Sequence, residues 1–284
     1  MDTAVLSLMT FPMAPDILQR KMTPKDTLAL AGQAGIPCVD LMNIPNFRLA
    51  QYKNAMQSTG VRVFCYIMQT SFFLPRRVWQ YAVRSGLKTA ASLGAKYLMI
   101  VPYQFIDRAK AERMGRREVV QKMIEGFRYA VKQAAGTTVS VCFEITPHDV
   151  SGLCATDDCL AVLQAVPNLH FVFDTANMLP HGEEPLAAYE RLKPYISYVH
   201  LKDVALEPAS THSGYAEITA DGQRMRAVPW GQGVIPLQEL YTKMRGNEHI
   251  ERFAVEYAHP AGGACGFADH QKQLAVFLHA LQDE

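Results

Sequence analysis

The sequence predicts a single α/β domain, a closed (β/α)8 barrel that spans residues 1–284. Eight short apolar runs alternate with amphipathic segments from end to end, which is the pattern of parallel strands joined by helices. Eight such units fit a chain of 284 residues that contains no linker, repeat or shift in composition. The stretch after the first run, LMTFPMAPD, lacks the glycine-rich turn that an open doubly wound sheet normally has there.

The strands are predicted from runs that are rich in β-branched and aromatic residues. They lie at 4–9, 38–42, 61–68, 97–102, 139–144, 169–174, 196–203 and 252–257. Helical spacing of apolar residues predicts helices at 24–34, 75–93, 114–135, 156–166, 183–193, 235–245 and 267–281. Thr23 followed by Pro24 indicates a capped helix start, and so does Asp157 after Thr156.

Two connections between the predicted elements are long, at 43–60 and, more so, at 204–234. Long connections in a compact domain are usually lids or binding loops. The second one follows a strand, so we expect a long rim loop at about 204–234, on the side of the barrel to which the strand C-termini point.

Composition and charge exclude several classes of protein. The chain is 49% hydrophobic with a net charge of +1, which gives it a core but no general attraction to nucleic acid or to an anionic membrane. No run of 18 apolar residues occurs, and MDTAVLSLMTFP lacks a basic leader region, so we expect a cytoplasmic protein. Six cysteines without a CxxC spacing predict reduced thiols in the core.

Four of the apolar runs carry a polar side chain at or near their C-terminal end. Side chains alternate along a strand, so in VCFE the bulky Val141 and Phe143 point to the helices while the acid points into the barrel. The same parity holds in FVFD, YVHL and FAVE. These are the fifth to eighth strands, which are neighbours in a barrel, so we expect the polar groups to meet at the rim. They are Glu144, Asp174, His200 and Glu256.

Three carboxylates and an imidazole in one place repel one another unless a cation neutralises them. Three oxygen donors and one nitrogen donor suit a hard divalent ion. We therefore expect one ion bound by the four residues, with Mn²⁺ as the first choice and Mg²⁺, Co²⁺ or Zn²⁺ as alternatives. The simpler alternative is that each acid forms a salt bridge with a lysine or arginine at the rim.

The order of these motifs resembles the xylose-isomerase-like TIM barrels, a superfamily that includes ketose 3-epimerases, hydroxypyruvate isomerase and inosose dehydratase. The resemblance lies in a glutamate at the fifth strand, an aspartate at the sixth, HLKD at the seventh, a glutamate at the eighth, and WGQGVIPL at 230–237. It implies that Glu144, Asp174, His200 and Glu256 bind the metal. It also implies that Glu144 and Glu256 are the acid/base pair.

The resemblance implies a divalent-metal-dependent isomerase or epimerase that acts on a ketose or a related polyhydroxy carbonyl compound through an enediolate. A metal polarises the carbonyl and stabilises the enediolate, and two carboxylates move the proton. Return of the proton to the same carbon is epimerisation, and return to the neighbouring carbon is isomerisation. Loss of a β-hydroxyl is dehydration, so a dehydratase of an inosose-type substrate is the alternative on the same site.

Five further residues near the strand ends are candidates for binding a sugar or polyol-derived substrate. Two depart from the family pattern. An asparagine stands where the epimerases often have histidine, and Leu206 stands near the place of an arginine that a lysine, or Arg224 or Arg226, could replace. Two are loop histidines, for which solvation is the alternative, and one is a tryptophan, for which core packing is the alternative. They are Asn177, Lys202, His148, His259 and Trp230.

Two other functions fit the sequence less well. An abasic-site endonuclease on the same barrel needs histidine ligands on earlier strands, and no histidine precedes His148. A non-catalytic sugar-binding protein would not need two opposed proton-transfer groups, yet Glu144 and Glu256 are both present. We therefore expect a small-molecule substrate and neither a nucleic-acid nor a membrane partner, while a homo-oligomer remains open.

Overall fold

The barrel is present in the computed structural model, which describes residues 2–45, 47–102, 113–147, 153–211, 217–219, 221–259 and 265–282. Its eight strands are parallel, and each pairs with the next, the last strand pairing with the first. Closure excludes the open doubly wound sheet and confirms the predicted fold class. The strands are β1 (Leu6–Met9), β2 (Cys38–Met42), β3 (Arg62–Thr70), β4 (Tyr97–Pro102), β5 (Ser140–Glu144), β6 (His170–Asp174), β7 (Ile196–Leu201) and β11 (Phe253–Val255).

Helices join the strands, close to where the sequence predicts them. The described α-helices are α1 (Ala14–Leu18), α2 (Pro24–Gln33), α3 (Leu49–Thr59), α4 (Arg76–Ser92), α5 (Arg116–Ala134), α6 (Thr156–Ala165), α7 (Pro185–Leu192), α8 (Leu237–Arg245) and α9 (Phe267–Gln282). Short 3-10 turns lie at Thr3–Val5, Phe11–Met13, Leu179–His181 and Lys193–Tyr195.

The helix starts confirm one capping prediction and correct another. Thr23 accepts a hydrogen bond from the Asp26 N–H (3.2 Å), and the Asp26 carboxylate accepts one from the Thr23 N–H (2.8 Å), which forms a capping box. The residue that caps α6 is Ala155, which contributes no side-chain hydrogen bond. Instead, the carboxylate of Glu183 accepts from the Thr156 N–H at 3.1 Å. A carboxylate from the next unit of the barrel thus replaces the local cap.

The 43–60 connection is mostly helical, which corrects its interpretation as a loop. Helix α3 occupies Leu49–Thr59, and only Tyr52 and Ala55 of it are buried. Its first residue follows Arg48, whose side chain makes no capping hydrogen bond. The start therefore lacks the Ser, Thr, Asp or Asn signal from which a helix is normally predicted.

Apolar side chains fill two layers, as the alternation along the strands predicts. Bulky residues on the outer face, Val141 and Phe143 among them, belong to the cluster between strands and helices. The inward positions Cys142, Val172 and Tyr198 belong to a separate cluster inside the barrel. In these three strands the next inward position toward the C-terminus carries a polar group, namely Glu144, Asp174 or His200.

Two irregularities in strand pairing set which residues of neighbouring strands lie level. Between β6 and β7 the register changes after Phe171↔Ile196, so that Asp174 lies level with His200. Between β2 and β3 it changes after Val39↔Val63, so that Asp40 lies level with Cys65. Each irregularity adds one residue to one strand of the pair, at residue 197 of β7 and residue 64 of β3.

The 204–234 segment, expected as a rim loop, carries a small antiparallel sheet. Its strands are β8 (Asp203–Glu207), β9 (Glu217–Ile218) and β10 (Arg224–Val228), with β10 in the middle. Arg226 forms an ion pair with Glu207 across the sheet at 2.6 Å. The sheet begins directly after β7 and so lies on the C-terminal side of the barrel. In the part of the chain that is described, no helix is both long and apolar enough to cross a membrane.

Candidate metal centre

Three of the predicted ligands converge at the ends of β5, β6 and β7. Glu144, Asp174 and His200 each offer a ligand atom within 4.8 Å of the other two. Strand register accounts for this: Asp174 pairs with His200, and Glu144 pairs with Val172, two residues before Asp174. His200 and Asp174 are fully buried, and Glu144 is 9% exposed. The inward direction predicted from alternation is thus observed for all three.

Glu256, the fourth predicted ligand, lies beside this group but is not among the residues whose ligand atoms lie within 4.8 Å of one another. Its Oε2 is 3.8 Å from Nδ1 of His200, and its N–H donates to the Leu201 carbonyl at 3.0 Å. The side chain follows the end of β11 and is 8% exposed as a residue. Glu256 is therefore adjacent to the three converging residues but is not one of that group.

Lys202 lies among the carboxylates as an internal cation. Its Nζ is 2.9 Å from Asp174 Oδ2 and 3.3 Å from Glu256 Oε1, and it donates to Asn177 Oδ1 at 2.9 Å. Burial opposes its charge, yet Asp174, Glu256 and Glu144 together raise the pKa of Lys202 above its ordinary value. The ammonium therefore supplies part of the neutralising charge, as the salt-bridge alternative predicts for Asp174 and Glu256.

Asn177 and Asp174 form one turn that positions both side chains. The Oδ1 atom of Asp174 accepts from the N–H groups of Ala176 (2.8 Å) and Asn177 (2.9 Å), so its Oδ2 is left to face the centre. The Asn177 amide donates to the Ile145 carbonyl at 3.2 Å and accepts from Lys202. Asn177 thus fixes Lys202 in place.

Asp40 belongs to the centre and was missed. Its Oδ2 lies 3.3 Å from Nε2 of His200, its Oδ1 accepts a hydrogen bond of 2.5 Å from the Ser7 hydroxyl, and it is fully buried. Because Nε2 is engaged by Asp40, Nδ1 of His200 faces the carboxylates of Glu144 and Glu256. The signal was present: in CVDLM, Val39 and Leu41 point outward, so the acid between them points inward.

The charges in the centre shift the pKa values of its members. Burial opposes a charged imidazole, but the carboxylates of Glu144 and Asp40 raise the pKa of His200 well above its ordinary value. Burial raises the pKa of Glu256, although the Lys202 ammonium opposes that change. The carboxylates thus favour the protonated forms of His200 and Lys202.

The donor atoms fit a divalent cation. Glu144 Oε2 and His200 Nδ1 are buried and have no hydrogen-bond partner among the described residues, while the buried Asp174 Oδ2 faces the Lys202 ammonium at 2.9 Å. Glu144 Oε2 and His200 Nδ1 approach to 3.1 Å without hydrogen-bonding geometry, a separation typical of two ligands on one ion. Buried polar atoms without partners are rare and commonly mark a site for an ion or a water. Oxygen and imidazole donors of this kind suit divalent metals.

Three other residues were predicted to bind substrate. His148 lies outside the described residues. Trp230 is buried and packs against Phe277 of α9 with ring centroids 4.9 Å apart, so its ring is part of the hydrophobic core, to which its large apolar area drives it. His259 contacts Asp16 instead of the carboxylate centre.

Asp203 of the HLKD motif anchors the segment after β7. Its carboxylate accepts from the N–H groups of Val204 (2.8 Å) and Gly233 (2.8 Å). A Cβ atom at Gly233 would lie 2.1 Å from Asp203 Oδ1, so only glycine fits there. Asp203 of HLKD and Gly233 of WGQGVIPL, which are 30 residues apart, therefore form one contact.

Comparison with protein families matches residues 28–275 to the model of the family described as xylose isomerase-like TIM barrel. Among curated proteins, inosose dehydratase 1 of Bacillus cereus is 33% identical over 87 residues, which are 30% of this chain and 29% of that protein. The chain thus matches less than a third of that relative's length.

Solved structures share the fold across almost the whole chain. The IOLI protein with a binding zinc atom has a TM-score of 0.71 at 14% identity, covering 98% of this chain and 96% of that chain. D-allulose 3-epimerase from Methylomonas sp. has a TM-score of 0.70 at 13% identity, covering 99% and 97%. At these identities the likeness shows the fold alone.

Proposed function

The chain belongs to the xylose isomerase-like TIM barrel family, and on that premise we propose that it is a divalent-metal-dependent isomerase or epimerase of a ketose or related polyhydroxy carbonyl compound. One observation carries the proposal: buried donor atoms of Glu144, Asp174 and His200 lie within 4.8 Å of one another, and those of Glu144 and His200 have no hydrogen-bond partner among the described residues. A further carboxylate, Glu256, lies beside this group.

Glu144, Asp174 and His200 would hold the ion, with Glu256 as the fourth ligand. We propose Mn²⁺, because three carboxylates and one imidazole form a mostly hard donor set. When bound, a divalent ion polarises a carbonyl and stabilises the charge that develops on its oxygen. A zinc-containing relative of the same fold supports a divalent ion in general.

Glu144 and Glu256 would divide the proton transfer. They end β5 and begin the connection after β11, with β6 and β7 between them, so they approach a substrate from different sides. One carboxylate takes the proton next to the carbonyl, and the other returns a proton to the opposite face or to the neighbouring carbon. Both side chains are largely buried, which keeps water away from the transferred proton.

Lys202 and Asn177 would orient the substrate. The ammonium group is held by the Asn177 carbonyl oxygen, and its charge is maintained by the carboxylates around it. With Asp174 serving as a ligand, Lys202 would be free to donate to a hydroxyl or carbonyl oxygen of the substrate. Its raised pKa makes it a hydrogen-bond donor and not a proton donor in this scheme.

Dehydration is the second candidate, favoured by the partial match to an inosose dehydratase. The same base would remove the proton, and the second acid would protonate a β-hydroxyl as it leaves. The site needs no additional residue for this outcome. The two activities therefore differ only in whether the enediolate regains a proton or loses a β-hydroxyl.

The proposal is tested by solvent deuterium exchange with a panel of ketoses and inososes, with and without added Mn²⁺. We expect Mn²⁺-dependent incorporation of deuterium next to the carbonyl. Mass analysis of the products then separates an isomer or epimer from a product that has lost water. Substrate binding without exchange or water loss across the panel would support a binding protein and contradict the proposal.

A further inference from the structure

A second group of metal-binding side chains lies where the first and last units of the barrel meet. Asp16 comes from α1, His259 and Cys265 from the connection after β11, and His270 from α9. One ligand atom from each lies within 4.8 Å of the others. Asp16 (1% exposed), Cys265 (8%) and His270 (0%) are buried, whereas the His259 side chain is 32% exposed. The group shares no residue with the centre at Glu144.

The distances within this group match a tetrahedral ligand shell. Asp16 Oδ2 lies 3.3 Å from His259 Nε2, 3.0 Å from His270 Nε2 and 3.3 Å from Cys265 Sγ. Cys265 Sγ lies 3.6 Å from His259 Nε2 and 3.5 Å from His270 Nε2. Bonds of about 2.0–2.3 Å to a tetrahedral zinc ion give ligand separations of about 3.3–3.8 Å. These five separations therefore lie at or close to the values that a zinc ion requires.

The contacts do not fit a nucleophilic cysteine triad. In such a triad the thiol contacts one imidazole nitrogen and the acid orients the other. Here the Cys265 thiol and the Asp16 carboxylate both approach Nε2 of His270. The other nitrogen, Nδ1, forms a 2.8 Å hydrogen bond with the Tyr257 hydroxyl. That arrangement instead orients Nε2 toward a shared ligand, as partners of metal-binding histidines do.

One further feature favours a cation at this position. Oδ1 of Asp16 is buried and has no hydrogen-bond partner among the described residues, while two imidazole nitrogens and a sulfur atom crowd Oδ2. Binding of a zinc ion would release the Cys265 thiol proton to solvent, because the thiolate is the form that binds metal.

We propose that Asp16, His259, Cys265 and His270 bind one Zn²⁺ ion in a closed tetrahedral site. One thiolate and one carboxylate balance the two charges of the ion, and two neutral imidazoles complete the shell, so the buried site is neutral. Mixed sulfur and nitrogen donors select zinc over the harder ions expected at the Glu144 centre. Four protein ligands leave no open position, which makes the site structural: the ion ties α1 to α9 across the seam of the barrel.

The test uses metal-free full-length protein titrated with Co²⁺, a spectroscopic substitute for Zn²⁺. A thiolate ligand produces a sulfur-to-cobalt charge-transfer band in the near ultraviolet, and the Glu144 centre contributes no sulfur. We expect the band in the wild type and in His200→Ala, and its loss in Cys265→Ser. Cys154→Ser is the matched control, since Cys154 is 7% exposed and Cys265 is 8% exposed. It should keep the band.

Zinc content provides a second readout. Cys265→Ser should hold one zinc equivalent fewer than Cys154→Ser after equilibration with Zn²⁺. Should Cys265→Ser not fold, His259→Gln replaces a ligand at a partly exposed position and should weaken zinc binding about tenfold or more. Absence of the band in the wild type, its survival in Cys265→Ser, or unchanged zinc affinity in His259→Gln would each overturn the proposal. His200→Ala removes a proposed ligand of the Glu144 centre and leaves the second site intact. It therefore shows whether the zinc result holds independently of the proposed enzyme activity.

Discussion

The Nε2 atom of His200 lies 3.3 Å from the Oδ2 atom of Asp40, and both side chains are fully buried inside the barrel. The Ser7 hydroxyl holds the other oxygen of Asp40 at 2.5 Å. This pair decides which nitrogen of His200 faces Glu144 and Glu256. A carboxylate in this position also makes the imidazole a stronger ligand.

We therefore expect Asp40→Asn to weaken Mn²⁺ binding by about 10–100-fold, because the neutral amide no longer supports His200 as a ligand. Calorimetric titration with Mn²⁺ measures the change, since this ion avoids a site that contains sulfur. Ser7→Ala is the control: it removes a partner of Asp40 but does not touch His200, so its effect should be smaller. Equal affinity in Asp40→Asn and wild type would show that Asp40 does not act on the centre.

Gly233 should not tolerate a side chain. A Cβ atom added to it would lie 2.1 Å from Asp203 Oδ1 and 2.3 Å from the Val204 carbonyl oxygen, which is backbone and cannot swing away. We expect Gly233→Ala to lower the free energy of unfolding by about 2–3 kcal/mol, through overpacking and loss of the Asp203 hydrogen bond. Urea denaturation followed by circular dichroism measures it.

Gly246→Ala is the matched control for this substitution. Its backbone is helical (φ −80°), and its Cβ would meet the Lys243 carbonyl oxygen at an ordinary 3.5 Å. A change below about 0.5 kcal/mol is expected there. If the two alanine variants were equally stable, the close approach of Gly233 to Asp203 would not be a constraint on the fold.

We expect the segment 204–234 to close over the centre when substrate binds. It begins directly after Asp203, and its two ends are joined, since the Gly233 N–H donates to Asp203 and the Val234 N–H donates to the Val204 carbonyl. Amide hydrogen exchange across 204–211 and 221–234 should slow when Mn²⁺ and a bound ketose are both present. The segment 116–134 in α5, a helix of the outer layer, provides an internal reference that should not change. Equal exchange in 204–234 with and without ligand would exclude a closing role.

The strand alternation was enough to predict the barrel and the direction of its rim residues. A strand in a barrel has one face toward the helices and one toward the interior, so Val141 and Phe143 fix the direction of Glu144. The same alternation gives the direction of Asp174 and His200. These residues meet Glu144 because β5, β6 and β7 are neighbours in the barrel. Asp40 obeys the same rule and was missed because it lies in an early strand, away from the recognised motifs.

Other features depend on contacts that no periodic pattern encodes. His270 meets Asp16 across 254 positions, on elements that the sequence gives no reason to pair. Cys265 was expected to be a core thiol, and it is buried, but its neighbours are polar. Lys202 was expected to bind substrate, yet only the structure shows how closely Asp174 and Glu256 surround it.

The sharpest prediction concerns Glu144 and Glu256, each proposed as a ligand and as a proton carrier. Replacement by alanine would confound the two roles, whereas glutamine keeps the size and one oxygen of the side chain and removes its basicity. We expect Glu144→Gln and Glu256→Gln each to reduce turnover on the order of 10²-fold or more, the usual effect of losing a general acid or base. Steady-state kinetics at saturating Mn²⁺ measures this.

Solvent exchange in the single variants should then identify the first base. If Glu144 removes the proton, Glu256→Gln still exchanges the proton next to the carbonyl with deuterium but forms no product, while Glu144→Gln does neither. The reverse pattern would assign the first step to Glu256. Mn²⁺ titration of each variant shows whether the variant still binds the ion. Gln238→Glu, on the exposed face of α8, is the control for exchanging glutamine and glutamate outside the centre. A double glutamine variant that binds Mn²⁺ and remains active would exclude this mechanism, because no other carboxylate is proposed to carry the proton.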